Sequence, residues 1–259
     1  MREEPDVRES YPDLNARTWD DWVEGGIAWS IPISHAQYER AGQGEWAIYL
    51  TPTIPVPRDW FPPLAGARVL CLASGGGQQM PVLAALGAVC TVFDNSSRQL
   101  ATERMVAGRE GYDIQIVQGD MTKALPFADG VFDLIVHPVS NCYVEEVYPI
   151  WRECFRVLRR SGVLLAGMDN GLVFLFNDND TLVVENKLPY NPLRDPALLR
   201  RSLENNEGVQ FSHTLEEQID GQLRAGFRLT HLREDRDRPG DGRLRDYAPT
   251  YLFTRAVKP

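Results

Sequence analysis

The segment Arg68-Val-Leu-Cys-Leu-Ala-Ser-Gly-Gly-Gly77 combines a short apolar run with a glycine turn. An apolar run of this length predicts a buried strand, and the glycines after it predict a tight turn. Gln78 to Leu86 is apolar at helical spacing and stops before Gly87, which predicts a helix. At such a turn the backbone can approach a ligand closely, and the helix N-terminus offers free N–H groups.

A second predicted strand, Val89 to Phe93, ends at Asp94. Asp94 follows the glycine turn by about 20 residues, the spacing at which a carboxylate typically accepts the ribose hydroxyls of an adenosine cofactor. A dinucleotide fingerprint starting at Gly75 would need a small residue at position 80, where this chain has Met80. NAD or FAD is therefore disfavoured, and an NAD(P)-dependent oxidoreductase on the same fold stays open as an alternative.

The rest of the chain continues the alternation of strands and helices. Capping-box patterns at Ser96–Gln99 and Thr214–Glu217 predict two helix starts. Strands that alternate with helices and read as apolar runs predict a parallel sheet covered on both faces. Five further strands are predicted, at 113–117, 132–136, 163–166, 227–232 and 251–256.

The first part of the chain differs from the remainder, because it holds five of the six tryptophans and ends in a proline-rich stretch. We interpret residues 1–63 as an N-terminal aromatic-rich cap, with a short helix at 15–23, and residues 64–259 as the core domain. An insertion rich in Asn, Asp and Pro interrupts the core at about 170–212. We expect Trp19, Trp22 and Trp29 to form a lid over the site. We expect Trp46 and Trp60 to pack on the core.

Further motifs follow in order after the glycine turn. They are Val92-Phe-Asp94, Gly119-Asp-Met121, Leu125 to Val136, and the helix and strand from Phe155 to Ala166. With Val69–Gly77, this series resembles class I S-adenosylmethionine-dependent methyltransferases, in particular the small-molecule, ubiquinone/menaquinone methyltransferase-like group and bacterial members without an assigned substrate.

The resemblance implies an α/β fold: a Rossmann-like, seven-stranded, mostly parallel, doubly wound sheet with helices on both faces and the last strand antiparallel. It also implies S-adenosyl-L-methionine as cofactor and methyl transfer to a small-molecule acceptor by in-line displacement. The cofactor-binding residues it implies are Ala73, Ser74, Gly75, Gly76, Gly77, Gln78, Asp94, Asn95, Gln99, Asp120, Met121 and His137. Candidate catalytic residues are His137, as a general base, with Asn141 and Tyr143 on the same loop.

Two positions depart from the family pattern. Cys71 stands where the family has an acid, and Ala73 stands where it has its first glycine. Ser74 and Gln78 are polar groups that could replace the acid. Because of these departures, a non-catalytic S-adenosylmethionine-binding module stays open as a second alternative.

Charge and composition limit which classes of binding partner the protein can have. The net charge of −9 disfavours non-specific binding to nucleic acid. The apolar runs are too short to span a bilayer, and the N-terminus lacks a signal-peptide pattern. The four cysteines show no CxxC spacing, which favours reduced thiols in a cytoplasmic protein, and the scattered histidines predict no metal site. The sequence is compatible with both a monomer and a homodimer. The loop 233–246 alternates Arg with Asp and Glu, which predicts a solvated charged face.

Overall fold

The computed structural model describes residues 7–178 and 180–259 and contains one mixed sheet of seven strands. The strand order is β3-β2-β1-β4-β5-β7-β6, and β7 runs antiparallel to both of its neighbours. This confirms the predicted seven-stranded, mostly parallel sheet with an antiparallel last strand. The strands are β1 Arg68–Leu72, β2 Val89–Asp94, β3 Ile114–Gln118, β4 Phe132–His137, β5 Leu158–Asp169, β6 Arg228–Asp235 and β7 Tyr251–Val257.

Seven α-helices accompany the sheet in the described residues, and two of them come before β1 in the chain. They are α1 Val7–Glu24, α2 His35–Gly42, α3 Gln79–Ala85, α4 Ser97–Glu110, α5 Tyr148–Val157, α6 Pro196–Glu204 and α7 Gly221–Arg224. A π-helical turn, Glu216–Asp220, leads into α7. None of the helices within the described residues is both long and apolar enough to cross a membrane.

The core lies on both faces of the central strands. Alternate residues of β1 point to opposite faces, so Val69 and Cys71 pack in one cluster while Leu70 and Leu72 pack in another. All four side chains are fully buried. A strand buried on both faces explains why β1 reads as a continuous apolar run rather than an alternating one.

The N-terminal helix is longer than predicted. α1 spans Val7–Glu24 and contains Pro12, whereas the sequence predicts a helix over 15–23 only. Tertiary contacts favour the longer helix: the Asn95 side chain donates to the Pro12 carbonyl at 2.8 Å, and Asp20 accepts from Ser96 Oγ at 2.6 Å. α1 is thereby fixed against the start of α4.

The insertion at 170–212 packs against α1 instead of extending into solvent. Tyr11 of α1 shares a buried cluster with Val209 and Phe211. Asn15 donates to the Val209 carbonyl at 3.0 Å and accepts from its N–H at 2.6 Å. The N-terminal segment and the insertion therefore meet beside the carboxyl edge of the sheet.

Candidate functional site

The glycine turn after β1 is packed too tightly for side chains. A Cβ at Gly75 would lie 2.8 Å from the Cβ of Gln99, and one at Gly77 would lie 2.7 Å from Val106 Cγ2. Gly77 also has φ +72, in the left-handed region that glycine tolerates best. The turn therefore rests directly on α4, and glycine is required for that approach.

Asp94 ties the end of β2 to the glycine turn. Its Oδ2 accepts from the Gly75 N–H at 2.9 Å, and its Oδ1 accepts from the Ser96 N–H at 2.9 Å. Burial raises the pKa of this half-buried carboxyl. Asp94 thus holds the turn in place while lining a large cavity.

The capping box predicted at the start of α4 is only half formed. Ser96 Oγ accepts from the Gln99 N–H at 3.1 Å, but the Ser96 N–H donates to Asp94 instead of to Gln99. Gln99 Oε1 is buried and has no partner among the described residues. Because Gln99 lines the cavity, this acceptor is available to a ligand.

A carboxylate absent from β1 is supplied by α4. Glu103 is fully buried, accepts from the Gly77 N–H at 2.7 Å, and accepts from the Tyr112 hydroxyl at 3.1 Å. Burial raises the pKa of Glu103 to about 7. Glu103 is near enough to the buried Cys71 for its charge to raise the pKa of that thiol, so a carboxylate from α4 supports the glycine turn where β1 offers none. Sequence reasoning missed it because a single Glu in a polar helix carries no signal.

The cavity opens at the carboxyl edge of the sheet and has a volume of about 860 Å³. Most of the predicted site residues line it: Ala73, Ser74, Gly75, Gln78, Asp94, Asn95, Gln99, Asp120, Met121 and Tyr143. Within the described chain, four predicted residues do not line it: Gly76, Gly77, His137 and Asn141. Ten of the fourteen predicted site residues therefore surround this cavity.

His137 does not occupy the position of a general base. It is fully buried, with Nδ1 3.0 Å from the Leu72 carbonyl and Nε2 2.8 Å from Asn141 Oδ1. Asn141 in turn donates to Gln218 at 2.9 Å, and burial lowers the pKa of His137. Both ring nitrogens face protein groups behind the cavity, so this geometry gives His137 and Asn141 a structural role in joining β1, β4 and the π-helical turn.

Two other predicted residues use their polar atoms within the protein. The Gln78 amide donates to the carbonyls of Trp29 and Ile31, at 2.6 Å and 3.1 Å. Asp120 accepts from the N–H and the hydroxyl of Thr122, at 2.8 Å and 2.7 Å. Gln78 therefore holds the N-terminal segment over the glycine turn, and Asp120 shapes the loop after β3 while lining the cavity.

The N-terminal tryptophans divide differently from the expectation. Trp19 and Trp29 line the cavity, and so does Trp46, which was expected only to pack on the core. Trp22 packs edge-on against Trp19 at 5.1 Å between ring centroids, and Trp60 is buried in the core as expected.

The charged loop at 233–246, which the sequence predicts to be a solvated face, reaches the cavity through Arg238. The Arg238 guanidinium lies 4.0 Å from the ring centroid of Trp29, and both residues line the cavity. Alternating charges in sequence gave no sign that one arginine would fold back onto a tryptophan more than 200 residues earlier.

The four cysteines are shielded from solvent rather than placed as nucleophiles. All four belong to the described residues and are free and buried. Burial raises the pKa of Cys142, the cysteine next to Tyr143, well above its ordinary value, so its thiol stays protonated. Among the residues described here, no cluster of His, Cys, Asp and Glu has the geometry of a metal site.

Comparison with known proteins identifies the family. A methyltransferase-domain model matches residues 70–166. The chain is 46% identical over 250 residues to a Bacillus subtilis protein named uncharacterized methyltransferase YbaJ, covering 94% of this chain and 97% of that one. It is 26% identical over 177 residues to the sterol 24-C-methyltransferase erg6 of Aspergillus fumigatus, covering 67% of this chain and 43% of that one.

A solved structure shows the same fold. The S-adenosylmethionine-dependent methyltransferase from Mesorhizobium loti superposes with a TM-score of 0.61 at 20% identity, covering 77% of this chain and 94% of that one. The buried acceptor of Gln99 and a turn that no Cβ could enter fit a cofactor lying across β1 and β2. The chain therefore belongs to the class I S-adenosylmethionine-dependent methyltransferases, with S-adenosyl-L-methionine as its cofactor.

Proposed function

We propose that this enzyme methylates a small-molecule acceptor by in-line displacement, with cofactor and acceptor bound together in the large cavity at the carboxyl edge of the sheet. The observation that carries the proposal is the volume of about 860 Å³. Small-molecule sites are typically about 300–1,000 Å³. A site near the top of that range supports a cofactor and a small partner side by side.

The cofactor half of the cavity is defined here as Ala73–Gly75, Asp94–Gln99 and Gly119–Met121. In this proposal Asp94 accepts hydrogen bonds from the ribose hydroxyls of the cofactor, and Gln99 Oε1 accepts a hydrogen bond from another cofactor group. Asp120 and Met121 border the adenine. When bound, S-adenosylmethionine supplies a methyl group already activated on a positively charged sulfur. The protein consequently needs no covalent intermediate.

The acceptor half is defined as Trp29, Tyr143, Asp169, Arg238 and Tyr251, all of which line the same cavity. Its contribution is to align the acceptor with the methyl group and to exclude water. Burial raises the pKa of Tyr143 well above its ordinary value, so its neutral phenol would orient the acceptor rather than act as a base.

A small acceptor is favoured over a nucleic acid. The chain carries a net charge of −9, which repels a phosphate backbone. Four free, buried cysteines support a cytoplasmic setting, in which thiols stay reduced.

The cofactor site is tested by titrating S-adenosylhomocysteine into the wild-type protein and into Asp94→Ala. The wild type should be stabilised by about 2.7 kcal/mol at 100 times the dissociation constant, and Asp94→Ala should lose most of that gain. Asp113→Asn is the matched control, because Asp113 is an exposed aspartate outside the cavity. Stabilisation by NAD instead would favour the oxidoreductase alternative, and binding without turnover on a broad acceptor panel would favour the binding module.

A further inference from the structure

Asp169 is a buried carboxylate that the assigned cofactor site does not use. It ends β5 and is only 3% exposed, yet it lines the cavity. Its Oδ1 accepts from the Gly171 N–H at 2.9 Å. Its Oδ2 has no hydrogen-bond partner among the described residues, although a buried carboxylate oxygen normally has one.

The groups shown beside Asp169 are neutral, and the cation of the acceptor half, Arg238, holds its guanidinium over Trp29 instead. Tyr251 lies opposite it in the antiparallel pairing of β5 and β7. Cys142 and Tyr143 are close enough for the Asp169 charge to raise their pKa values. No Arg, Lys or His of residues 7–178 and 180–259 forms an ion pair with this carboxylate. Burying an unpaired charge is costly, so the site is incomplete without a proton donor or a cation.

The position of Asp169 matches that of an acceptor beside the cofactor. β5 is separated from β1 by β4 alone. Neighbouring strands lie about 4.8 Å apart, so β5 runs roughly 10 Å from β1. Cys71 is level with Leu165 through Val136, and β5 continues four residues past that level to Asp169, whereas β1 ends one residue past it at Leu72. Asp169 therefore lies beyond the glycine turn but within the same cavity.

We propose that Asp169 binds a proton-bearing nitrogen of the acceptor, which makes the acceptor a small organic amine. The inference rests on the proposed function. An amine is favoured over an alcohol because an ammonium group neutralises the buried carboxylate, and aromatic faces such as those of Tyr143 and Tyr251 attract cations. An alcohol would satisfy one hydrogen bond and leave the charge uncompensated.

The same geometry assigns the proton in the reaction. The bound ammonium first passes one proton to Asp169 Oδ2 and from there to solvent, which frees the nitrogen lone pair. That lone pair forms the new N–CH₃ bond as the methyl–sulfur bond breaks, and the electron pair of the broken bond stays on sulfur. The methylated nitrogen is then a cation again and pairs with the ionised Asp169. Burial raises the pKa of Asp169 to about 6, so the carboxylate is ionised and able to accept the ammonium proton above that pH.

The experiment compares near-isosteric probes by calorimetry with S-adenosylhomocysteine already bound. One series is phenethylamine, phenethyl alcohol and propylbenzene; a second is tryptamine and tryptophol. The wild type should bind the amine of at least one series roughly ten- to 100-fold more tightly than its alcohol, as expected for a charge-assisted hydrogen bond. Asp169→Asn should abolish that preference and keep its affinity for S-adenosylhomocysteine, and Asp113→Asn should change neither.

Asn at position 169 retains an acceptor for the Gly171 N–H, so the variant should fold. If it does not fold, the pH dependence of binding to the wild type is the test. The preference for the amine should fall between pH 7 and pH 5, because Asp169, which is surrounded by Cys142, Tyr143 and Tyr251, becomes protonated. Equal binding of amine and alcohol in both series, no binding of either, or a preference that survives Asp169→Asn overturns the inference. Failure of the wild type to bind S-adenosylhomocysteine would instead overturn the proposed function and, with it, this inference.

Discussion

The two halves of the cavity differ in how completely the protein satisfies their carboxylates. In the cofactor half, the N–H groups of the glycine turn already donate to Asp94 and Glu103, at 2.9 Å and 2.7 Å. In the acceptor half, Asp169 Oδ2 is buried without any partner in the part of the chain that the structure describes. A carboxylate whose two oxygens are both held by the protein is fixed before the ligand arrives, whereas an unpaired carboxylate oxygen selects the ligand that completes it.

The halves also differ in where their residues come from. The cofactor half is drawn from three short segments that each follow a strand between β1 and β3. The acceptor half combines Trp29 from the N-terminal segment, Asp169 from β5 and Arg238 from the loop between β6 and β7. The two halves meet at the sheet edge and through the Gln78 amide, which donates to the Trp29 carbonyl at 2.6 Å.

The largest effect should come from filling the glycine turn. In Gly75→Ala the new Cβ would meet the Cβ of Gln99 at 2.8 Å and the Gln99 backbone at 3.2 Å, and backbone cannot yield cheaply. We expect the affinity for S-adenosylhomocysteine, measured by calorimetry, to fall by at least about 100-fold, equivalent to roughly 3 kcal/mol.

Gly108→Ala is the matched control for that change. Gly108 lies in α4, and a Cβ there has nothing within 4 Å. Its cofactor affinity should be unchanged and its unfolding free energy should rise by about 0.5–1 kcal/mol, as for Gly→Ala in a helix. Equal losses of affinity in both variants would contradict the steric account of the turn.

A smaller effect, on stability rather than affinity, should come from Glu103. Its folded pKa of about 7 lies above the ordinary value of 4.5, so between those two values the folded state binds more protons than the unfolded state. Stability contributed by Glu103 is therefore present at low pH and is lost as the pH rises through 7. Glu103→Gln should be more stable than the wild type at pH 8 by on the order of 2 kcal/mol, and the difference should vanish near pH 4.5.

Urea unfolding at several pH values measures this difference, and Glu204→Gln serves as the exposed control. Gln at position 103 still offers an oxygen to the Gly77 N–H, so cofactor affinity should be retained. A pH dependence identical in wild type and Glu103→Gln would show that another group, such as the neighbouring Asp94, carries the titration.

The smallest effect should come from the edge of the acceptor half. Arg238→Ala removes the guanidinium that lies 4.0 Å from the Trp29 ring centroid, a contact worth about 0.5–1 kcal/mol at a partly exposed site. The melting temperature should fall slightly, and the affinity for S-adenosylhomocysteine should not change. Arg238→Lys should recover most of the loss, and a strong loss of cofactor affinity in Arg238→Ala would show that the two halves are not separable.

Local sequence patterns were sufficient for the sheet and for the proximity of the glycine turn to Asp94. β1, its glycine turn and Asp94 are contiguous or fixed by the strand–helix–strand spacing, so their proximity follows from the fold. Glu103 was not predictable in this way, because its role depends on which face of α4 meets the turn. Asp169 and Arg238 were not predictable either, since each is brought to the cavity by pairing and packing between distant segments.

For His137, the position in the fold was predictable from the sequence but the direction of the side chain was not. Its place at the end of β4 was predicted correctly, but the sequence could not show that its ring turns into the core toward Leu72 and Asn141. A position at the carboxyl edge of a sheet predicts proximity to a ligand, while the direction of the side chain depends on the packing around it.

The most direct test of the account is one calorimetric comparison of S-adenosylhomocysteine binding to the wild type, Asp94→Ala and Asp169→Asn. The account predicts binding to the wild type, unchanged affinity in Asp169→Asn, and loss of binding in Asp94→Ala. Loss of binding in Asp169→Asn together with retained binding in Asp94→Ala would contradict the assignment of these two carboxylates to separate halves of the cavity.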